Sequence, residues 1–463
     1  MSGDPDLALH ALAQLGDHAR LAVEATGQDL VRLSRIARAY GVEDRVQFSE
    51  RARRAEPGPV FSIHGTNRTC PDGSFASVVH ALSDVGAAAR GRGDDSVLRG
   101  ARVALVTNRP AHYRHPLFDG MAERLRSVGA SFRVYFVAGA SGERPWLTDD
   151  SGTYDREYLS SVSLPVRRHR RPSVPARLGP VFDGFKPTIL LVAGLSPLVA
   201  GRLARTARRR RATVGVWSGE IGTASTARGA IRGRLRRALL TDIDFGIVYG
   251  WQSARYLRTL APSLPVVIGR NTSPLPHRRP RRAASRLRLV AVGDLATDRK
   301  GMDVLVDAIA LLPDLNCELR LIGGGRLLPL LTRRAEDPRI KLFGSRLPAE
   351  TRAEMAKSDI YLFPTRFDLF GLSLVEAMGC GLPSVVTPYS GAVEDLCVPG
   401  LNSIVVGEDG PRAWAEAVSW LASDETARIS LGDAAAATIH SRWTIAHAVD
   451  AMIAGLRLGA LGA

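Results

Sequence analysis

The chain has 463 residues, 45% of them hydrophobic and 23% charged, with a formal net charge of +16. That length exceeds one ordinary core and predicts two domains plus an appendage. No apolar run reaches the roughly twenty residues of a membrane span, and the opening "MSGDPDLALHALAQLG" carries acids where a secretory signal has a basic and then an apolar region, so a cytoplasmic setting is expected.

Residues 1–97 fit no regular α/β pattern. Within them "ATGQDLVRLSRIARAYGVEDRVQFSERA" (25–52) echoes "GGGRLLPLLTRRAEDPRIKLFGSRLP" (323–348) in its order of glycine, amphipathic helix and short strand. Two readings stand equally: a remnant of a duplicated α/β unit, or a helical appendage. "GAAARGRGDDS" (86–96) reads as a linker.

From residue 102 onward, apolar β-rich runs alternate with helical stretches. A first set of strands is expected at 102–107, 131–138, 188–193, 213–218, 245–250 and 265–270. A second set is expected at 287–294, 318–325, 340–345, 360–365, 383–388 and 402–407. Continuous Val/Ile/Leu runs suit parallel strands buried on both faces. Two doubly wound α/β domains follow, with a junction in the Arg/Pro-rich stretch around 273–286.

Cys70, Cys317, Cys380 and Cys397 lack metal or redox spacing and read as reduced thiols. The positive charge comes from arginine, since Lys186, Lys300, Lys341 and Lys357 are the only lysines. Arginines cluster at 167–177, 204–212, 231–240 and 277–288. Such a surface attracts phosphates of nucleotides, lipids or nucleic acid alike. Without aromatic interleaving or a reader motif, nucleic acid is not an expected partner.

In an open parallel sheet, ligands sit beyond the carboxyl ends of the strands, where helix N-termini present unpaired amides. Three ends of the second set carry unusual residues. "VGDLATDRKGMDVLVDAI" (292–309) places Arg299 and Lys300 in a strand-to-helix loop, a suitable anion grip. "PTRFDLFGLSLVEAMGCGLPSVVTPYSG" (364–391) has Gly371 for a tight turn, so amides there can face a phosphate or sugar hydroxyl. Its Glu376, among Leu374, Val375, Ala377 and Met378, is costly to bury without partners, and vicinal diols are partners it suits. "FGSRLP" (343–348), with Arg346, can offer groups to a base edge.

Together these blocks, with "LRLIGGG" and the late "SRWTIAHAVDAMIAGL", resemble the family 4 retaining glycosyltransferases. The resemblance is strong over 285–458 and weaker over 101–275. It implies the GT-B fold: two Rossmann-like domains facing a cleft, here with an N-terminal appendage at 1–97. The domains would span 98–280 (acceptor) and 281–440 (nucleotide-sugar), with a helix at 441–463 crossing back to the first. By the same resemblance Glu376 would hold the ribose hydroxyls and Asp368 would face the donor sugar. The amides of Phe370, Gly371 and Leu372 would lie near the sugar and diphosphate; apart from the resemblance, Arg299 and Arg346 are further candidates for the donor site. Lys300 would neutralise the leaving diphosphate, with no metal or cofactor beyond the donor substrate. Asp294 stands where the family usually has an arginine, and Asp368 where it usually has a glutamate.

Implied partners are the nucleotide-sugar and a glycan, lipid-linked or small-molecule acceptor. In the first domain, His112, Tyr113, Arg114 and His115 follow a strand and precede a helix, and Glu220 in "WSGEIG" occupies another strand end. Glu220 is a candidate near the reacting carbon. A helix at 229–240, with Arg232 and Arg236 on a basic side and an Ile231/Leu235/Leu239 stripe, would suit an anionic inner-membrane surface. The competing reading is a degenerate, non-catalytic GT-B binder or scaffold.

Overall fold

The computed structural model describes residues 20–25, 46–50, 60–64, 94–137, 152–163, 173–222, 227–277, 286–407 and 410–462. These fall into two compact units, one of residues 1–271 with 445–463 and one of residues 272–444.

Near the start of the first unit, β1 (Arg20–Ala25) pairs in parallel with β2 (Val46–Glu50) and antiparallel with β3 (Val60–His64). β2 is the short strand anticipated in 25–52, and the amphipathic helix expected before it lies outside the described residues. The main sheet of this unit has seven parallel strands in the order β12-β11-β10-β9-β4-β5-β6. They are β4 (Arg102–Thr107), β5 (Ser131–Phe136), β6 (Asp155–Tyr158), β9 (Ile189–Ala193), β10 (Thr213–Ser218), β11 (Phe245–Val248) and β12 (Val266–Ile268). A small antiparallel pair, β7 (Ser161–Ser163) and β8 (Ser173–Pro175), lies between β6 and β9.

Crossover helices α1 (His115–Ser127), α2 (Ala200–Arg209), α3 (Ala227–Leu240) and α4 (Trp251–Leu260) connect the strands. Their buried faces follow the 3.6-residue period: Leu117, Phe118, Met121, Ala122 and Leu125 of α1 join the core with Val103 and Leu105 of β4.

The second unit repeats the plan with six parallel strands ordered β15-β14-β13-β16-β17-β18. These are β13 (Leu287–Val292), β14 (Cys317–Ile322), β15 (Ile340–Gly344), β16 (Ile360–Phe363), β17 (Ser384–Val386) and β18 (Ser403–Val405). The helices are α5 (Met302–Ala310), α6 (Leu328–Arg334), α7 (Pro348–Ala356), α8 (Leu372–Gly379), α9 (Gly391–Leu396), α10 (Pro411–Ser423) and α11 (Glu425–Arg442). In both units strand order reverses beside the first strand, at β4/β9 and at β13/β16. Such a switch point leaves a crevice at the carboxyl ends of the strands.

The last helix, α12 (Ile445–Gly462), belongs to the first unit. Its Gly455 and Gly459 lie so close to β11 that an added Cβ would stand 2.4 Å from side-chain atoms of Ile247 and of Phe245. Buried Arg457 reaches Asp95 Oδ1 at 3.0 Å. The stretch 425–462 contains an 18-residue window of mean hydropathy 1.3, more apolar than the sequence reading allowed. Burial accounts for much of that character, since Ala448, Met452 and Leu456 are fully enclosed in the core.

Candidate functional site

At the switch point of the second unit, the loop after β13 meets the loop after β16. β13 runs into a short 3-10 turn, Asp298–Lys300, closed by Gly301 in the left-handed region (φ 63°). A Cβ at Gly301 would stand 1.9 Å from the Pro364 carbonyl oxygen. Glycine is therefore required for the two loops to touch backbone to backbone. The loop after β14 presses on the first in the same way, because a Cβ at Gly323 would stand 1.8 Å from Gly293 O.

Arg366 ties these loops together. Its amide donates to Arg299 O at 2.8 Å, its Nη1 to Asp298 O at 2.9 Å, and its guanidinium forms a bidentate pair with Asp303 at 2.9 and 3.0 Å. Burial alone would raise the Asp303 carboxyl, but the Arg366 hydrogen bonds overcome that and hold it below its ordinary value.

Within this frame Lys300 Nζ forms an ion pair with Asp368 Oδ2, both side chains being largely buried, and lies 5.8 Å from the centre of the Phe363 ring. Asp368 is fixed on its other sides. Its amide donates to Tyr389 O at 3.0 Å, and its Oδ1 accepts from the Phe370 amide at 3.4 Å. Gly371 (φ 101°) then turns the chain into α8, where a Cβ would stand 2.8 Å from Phe363 Cζ and 2.9 Å from Ser390 Oγ. Phe370 stacks on Trp443, with ring centres 5.8 Å apart and planes at 10°.

On α8, Ser373 Oγ accepts a 2.8 Å bond from Tyr361 Oη, and Glu376 Oε1 accepts one of 3.0 Å from the buried Ser273 Oγ. Burial pushes the Glu376 carboxyl up to about 7, with the Ser273 bond and the Arg352 charge pulling the other way. A carboxylate with one neutral hydroxyl donor is under-satisfied, and it gains from further hydroxyls.

The loops thus bring Lys300 and Asp368 together, with Phe370, Gly371 and Leu372 following in the same turn. The Arg299 backbone is part of the clasp. Arg346 is exposed after β15, its guanidinium 5.7 Å from the Phe343 ring. Asp294 closes its own loop, its Oδ1 accepting from the Ala296 amide at 2.8 Å. Ser273, Asp303 and Arg366 were not singled out from the sequence. Each acts through a partner at least 63 positions away, which no local pattern announces.

Glu220 lies in the first unit and is not an open carboxylate, because it pairs with Arg236 Nη2. Arg236 also donates to Tyr256 Oη at 2.6 Å and is buried. This corrects the expectation for α3: Arg236 faces inward, not along a basic outer side. Leu239 is buried too, while Ile231 and Leu235 are 62% and 52% exposed. The anticipated stripe is therefore split between core and surface.

The loop from β4 to α1 lies at the switch point of the first unit. Arg114 Nη1 donates to Thr107 Oγ1 at 3.1 Å and Nη2 to Tyr249 Oη at 2.5 Å, with the guanidinium carbon 4.7 Å from the centre of the Trp217 ring. Burial pushes the Tyr249 phenol up, so it stays neutral near pH 7.

Two parallel, doubly wound units of this strand order define the GT-B architecture, and solved structures share it. The chain superposes on a sucrose-phosphate synthase from Thermosynechococcus elongatus with a TM-score of 0.58 at 16% identity, covering 75% of this chain and 96% of that one. It superposes on HepE of Anabaena, solved with UDP and glucose, with a TM-score of 0.57 at 14% identity, covering 75% and 97%. Within the chain, residues 286–424 match the family described as Glycosyl transferases group 1.

Curated relatives match a segment of similar length. A D-inositol 3-phosphate glycosyltransferase of Corynebacterium glutamicum is 32% identical over 147 residues, which is 29% of this chain and 35% of that protein. An uncharacterized glycosyltransferase of Methanocaldococcus jannaschii is 29% identical over 138 residues, 29% and 38% of the respective chains. The chain spans about a third of the length of these relatives.

Proposed function

We propose that this protein is a retaining, metal-independent hexosyltransferase of family 4, moving a hexose from a nucleotide-sugar to a glycan, lipid-linked or small-molecule acceptor. The observation that carries the reading is the cluster at the β13/β16 switch point: Lys300 beside Asp368, the Gly371 turn into α8, and the under-satisfied Glu376. Glu376 takes the ribose diol. Asp368 faces the sugar hydroxyls, and Phe370, Gly371 and Leu372 offer amides to the sugar and diphosphate. Arg299 and Arg346 contact the donor's phosphate and base sides.

Breaking the anomeric bond leaves an oxocarbenium-like sugar and a diphosphate with added negative charge, so a prepositioned cation lowers the barrier most. Lys300 is that cation, exchanging Asp368 for the diphosphate when donor binds. Glu220, already neutralised by Arg236, acts by holding the β10 end in shape.

Nucleotide-sugar donors place the reaction in the cytoplasm. The exposed Ile231 and Leu235 of α3, flanked by exposed Arg232, Arg234 and Arg237, add peripheral attachment to the anionic inner face of the plasma membrane, as in polysaccharide biosynthesis.

The test is thermal shift against UDP-, GDP- and ADP-sugars, because a donor that binds the folded state raises its melting temperature. Glu376→Ala abolishes the shift if the reading holds, and unchanged affinity removes the assignment. A second reading, a non-catalytic GT-B binder, draws on Asp294, whose carboxylate closes its own loop where a cation would serve a diphosphate. Turnover across a donor and acceptor panel eliminates it.

A further inference from the structure

Arg114 is a half-buried charged group without a counter-charge. Its partners are the hydroxyls of Thr107, Tyr249 and Tyr113, all uncharged, and its Nε is buried with no partner. Its faces meet the rings of Trp217 at 4.7 Å and Tyr113 at 5.6 Å. Among the described residues no carboxylate pairs with it. Glu220, the acid at the neighbouring β10 end, is already taken by Arg236.

The cradle is rigid. Tyr249 and Trp217 pack edge to face with ring centres 5.6 Å apart, and the Tyr249 ring lies against Gly219, where a Cβ would stand 2.1 Å away. Burial works against the charged form, but the Tyr249 and Tyr113 hydroxyls outweigh it and keep the guanidinium charged, with no carboxylate beside it. The Thr107, Tyr249 and Tyr113 hydroxyls use three of its five N–H groups, leaving two for an oxyanion. Behind it α1 starts with no side-chain cap and no acid in its first turn, a second source of positive potential.

We propose that Arg114 and the β4/β10/β11 ends form an oxyanion subsite, and that the acceptor carries a phosphate close to the hydroxyl that receives the sugar. This rests on the transferase reading and narrows its acceptor class. The family match plays no part in it, since Arg114 lies outside residues 286–424. A soluble sugar phosphate and a diphosphate-linked lipid share the required chemistry.

The experiment is calorimetric titration of the full chain, with the nucleoside diphosphate that shifts it most held at saturation so that the donor site is filled. Glucose, glucose 6-phosphate and glucuronate are compared, and a short-chain polyprenyl diphosphate sugar in detergent forms the lipid arm. Wild type binds a phosphate-bearing ligand at least tenfold tighter than glucose. The soluble or the lipid arm, whichever shows that preference, identifies the source. Arg114→Gln removes the preference while its nucleotide-induced thermal shift stays, and Arg114→Lys, which keeps the charge and loses the fork, retains part of it.

Equal affinity for glucose and both phosphate ligands overturns the proposal, as does tighter binding of glucuronate than of either phosphate. A folded Arg114→Gln with undiminished preference overturns it too. Should Arg114→Gln fail to fold, the Lys variant and the wild-type comparison decide alone. If no nucleotide or nucleotide-sugar binds, the titrations are run without one. Phosphate selectivity lost in the variant then leaves the subsite standing while the transferase reading falls.

Discussion

Glu376→Gln separates the cost of the site from its use. In the folded chain the Glu376 carboxyl is pushed from its ordinary 4.5 up to about 7 by burial. A raised acid holds its proton more tightly when folded, so its contribution is most favourable below about pH 4.5 and is lost as pH rises through about 7. The full difference is about 3 kcal/mol, from roughly 1.4 kcal/mol per pKa unit, and it is an upper limit because the side chain keeps some contact with water. Above pH 7, wild type therefore carries a buried charge that an isosteric amide does not.

Glu376→Gln should melt several degrees higher than wild type at pH 8, and the gap should close toward pH 5. Nucleotide binding runs the other way, because the diol needs the ionised carboxylate as a double acceptor. At pH 6 about a tenth of the wild-type sites are ionised, so affinity falls about tenfold from its value at pH 8. The Gln variant binds weakly at every pH. Scanning fluorimetry across pH 5–8, with and without the best nucleotide, reads both curves. Parallel wild-type and Gln melting curves, or nucleotide affinity that is flat with pH, would refute the reasoning.

Arg366→Ala removes the clasp on the Lys300 loop. The half-exposed pair with Asp303 is worth about 1 kcal/mol in stability, but kcat should fall at least tenfold with little change in donor KM, partly restored in Arg366→Lys. An unchanged kcat would show that the loop holds without it. Gly301→Ala and Gly344→Ala share a positive φ (63° and 66°), yet only the first meets a backbone carbonyl, at 1.9 Å, while the second meets nothing within 4 Å. Urea denaturation should show about 1 kcal/mol lost at 344, the strain of the left-handed conformation, and considerably more at 301. For α3, Ile231→Glu with Leu235→Glu should abolish co-sedimentation with anionic vesicles at low salt and leave the melting temperature unchanged, since both side chains are exposed. Equal sedimentation of the double variant would end the docking idea.

The sheets could be read from the chain because parallel strands buried on both faces must be continuously apolar. Every strand anticipated between 102 and 407 is present, usually a residue or two shorter at its ends. β6 was not anticipated. Its sequence, DREY, is half exposed at the sheet edge, where it pairs with β5 alone, so no apolar run marks it and its charges suit an edge. α12 was placed at the chain end as a helix, and its burial in the core is visible only in the structure. An apolar stretch interrupted by Arg457 reads as less than a core helix until Asp95 is seen to neutralise that arginine.

The same contrast holds at the site. Lys300, Asp368, Gly371 and Glu376 were found because strand order places particular loops at a switch point, and the glycines and charges in those loops are local signals. Pairing is not local. Arg236 follows Arg232 by one helical turn, so periodicity put both on one outer face, but Glu220 and Tyr256 supply partners that turn Arg236 inward. Desolvating a guanidinium is favoured where an acid neutralises it, and that depends on side chains brought in from other elements. Arg114 is the complementary case, half-buried and lacking the acid. Its meaning comes from a comparison of two arginines in one unit, one neutralised and one left for a ligand to neutralise.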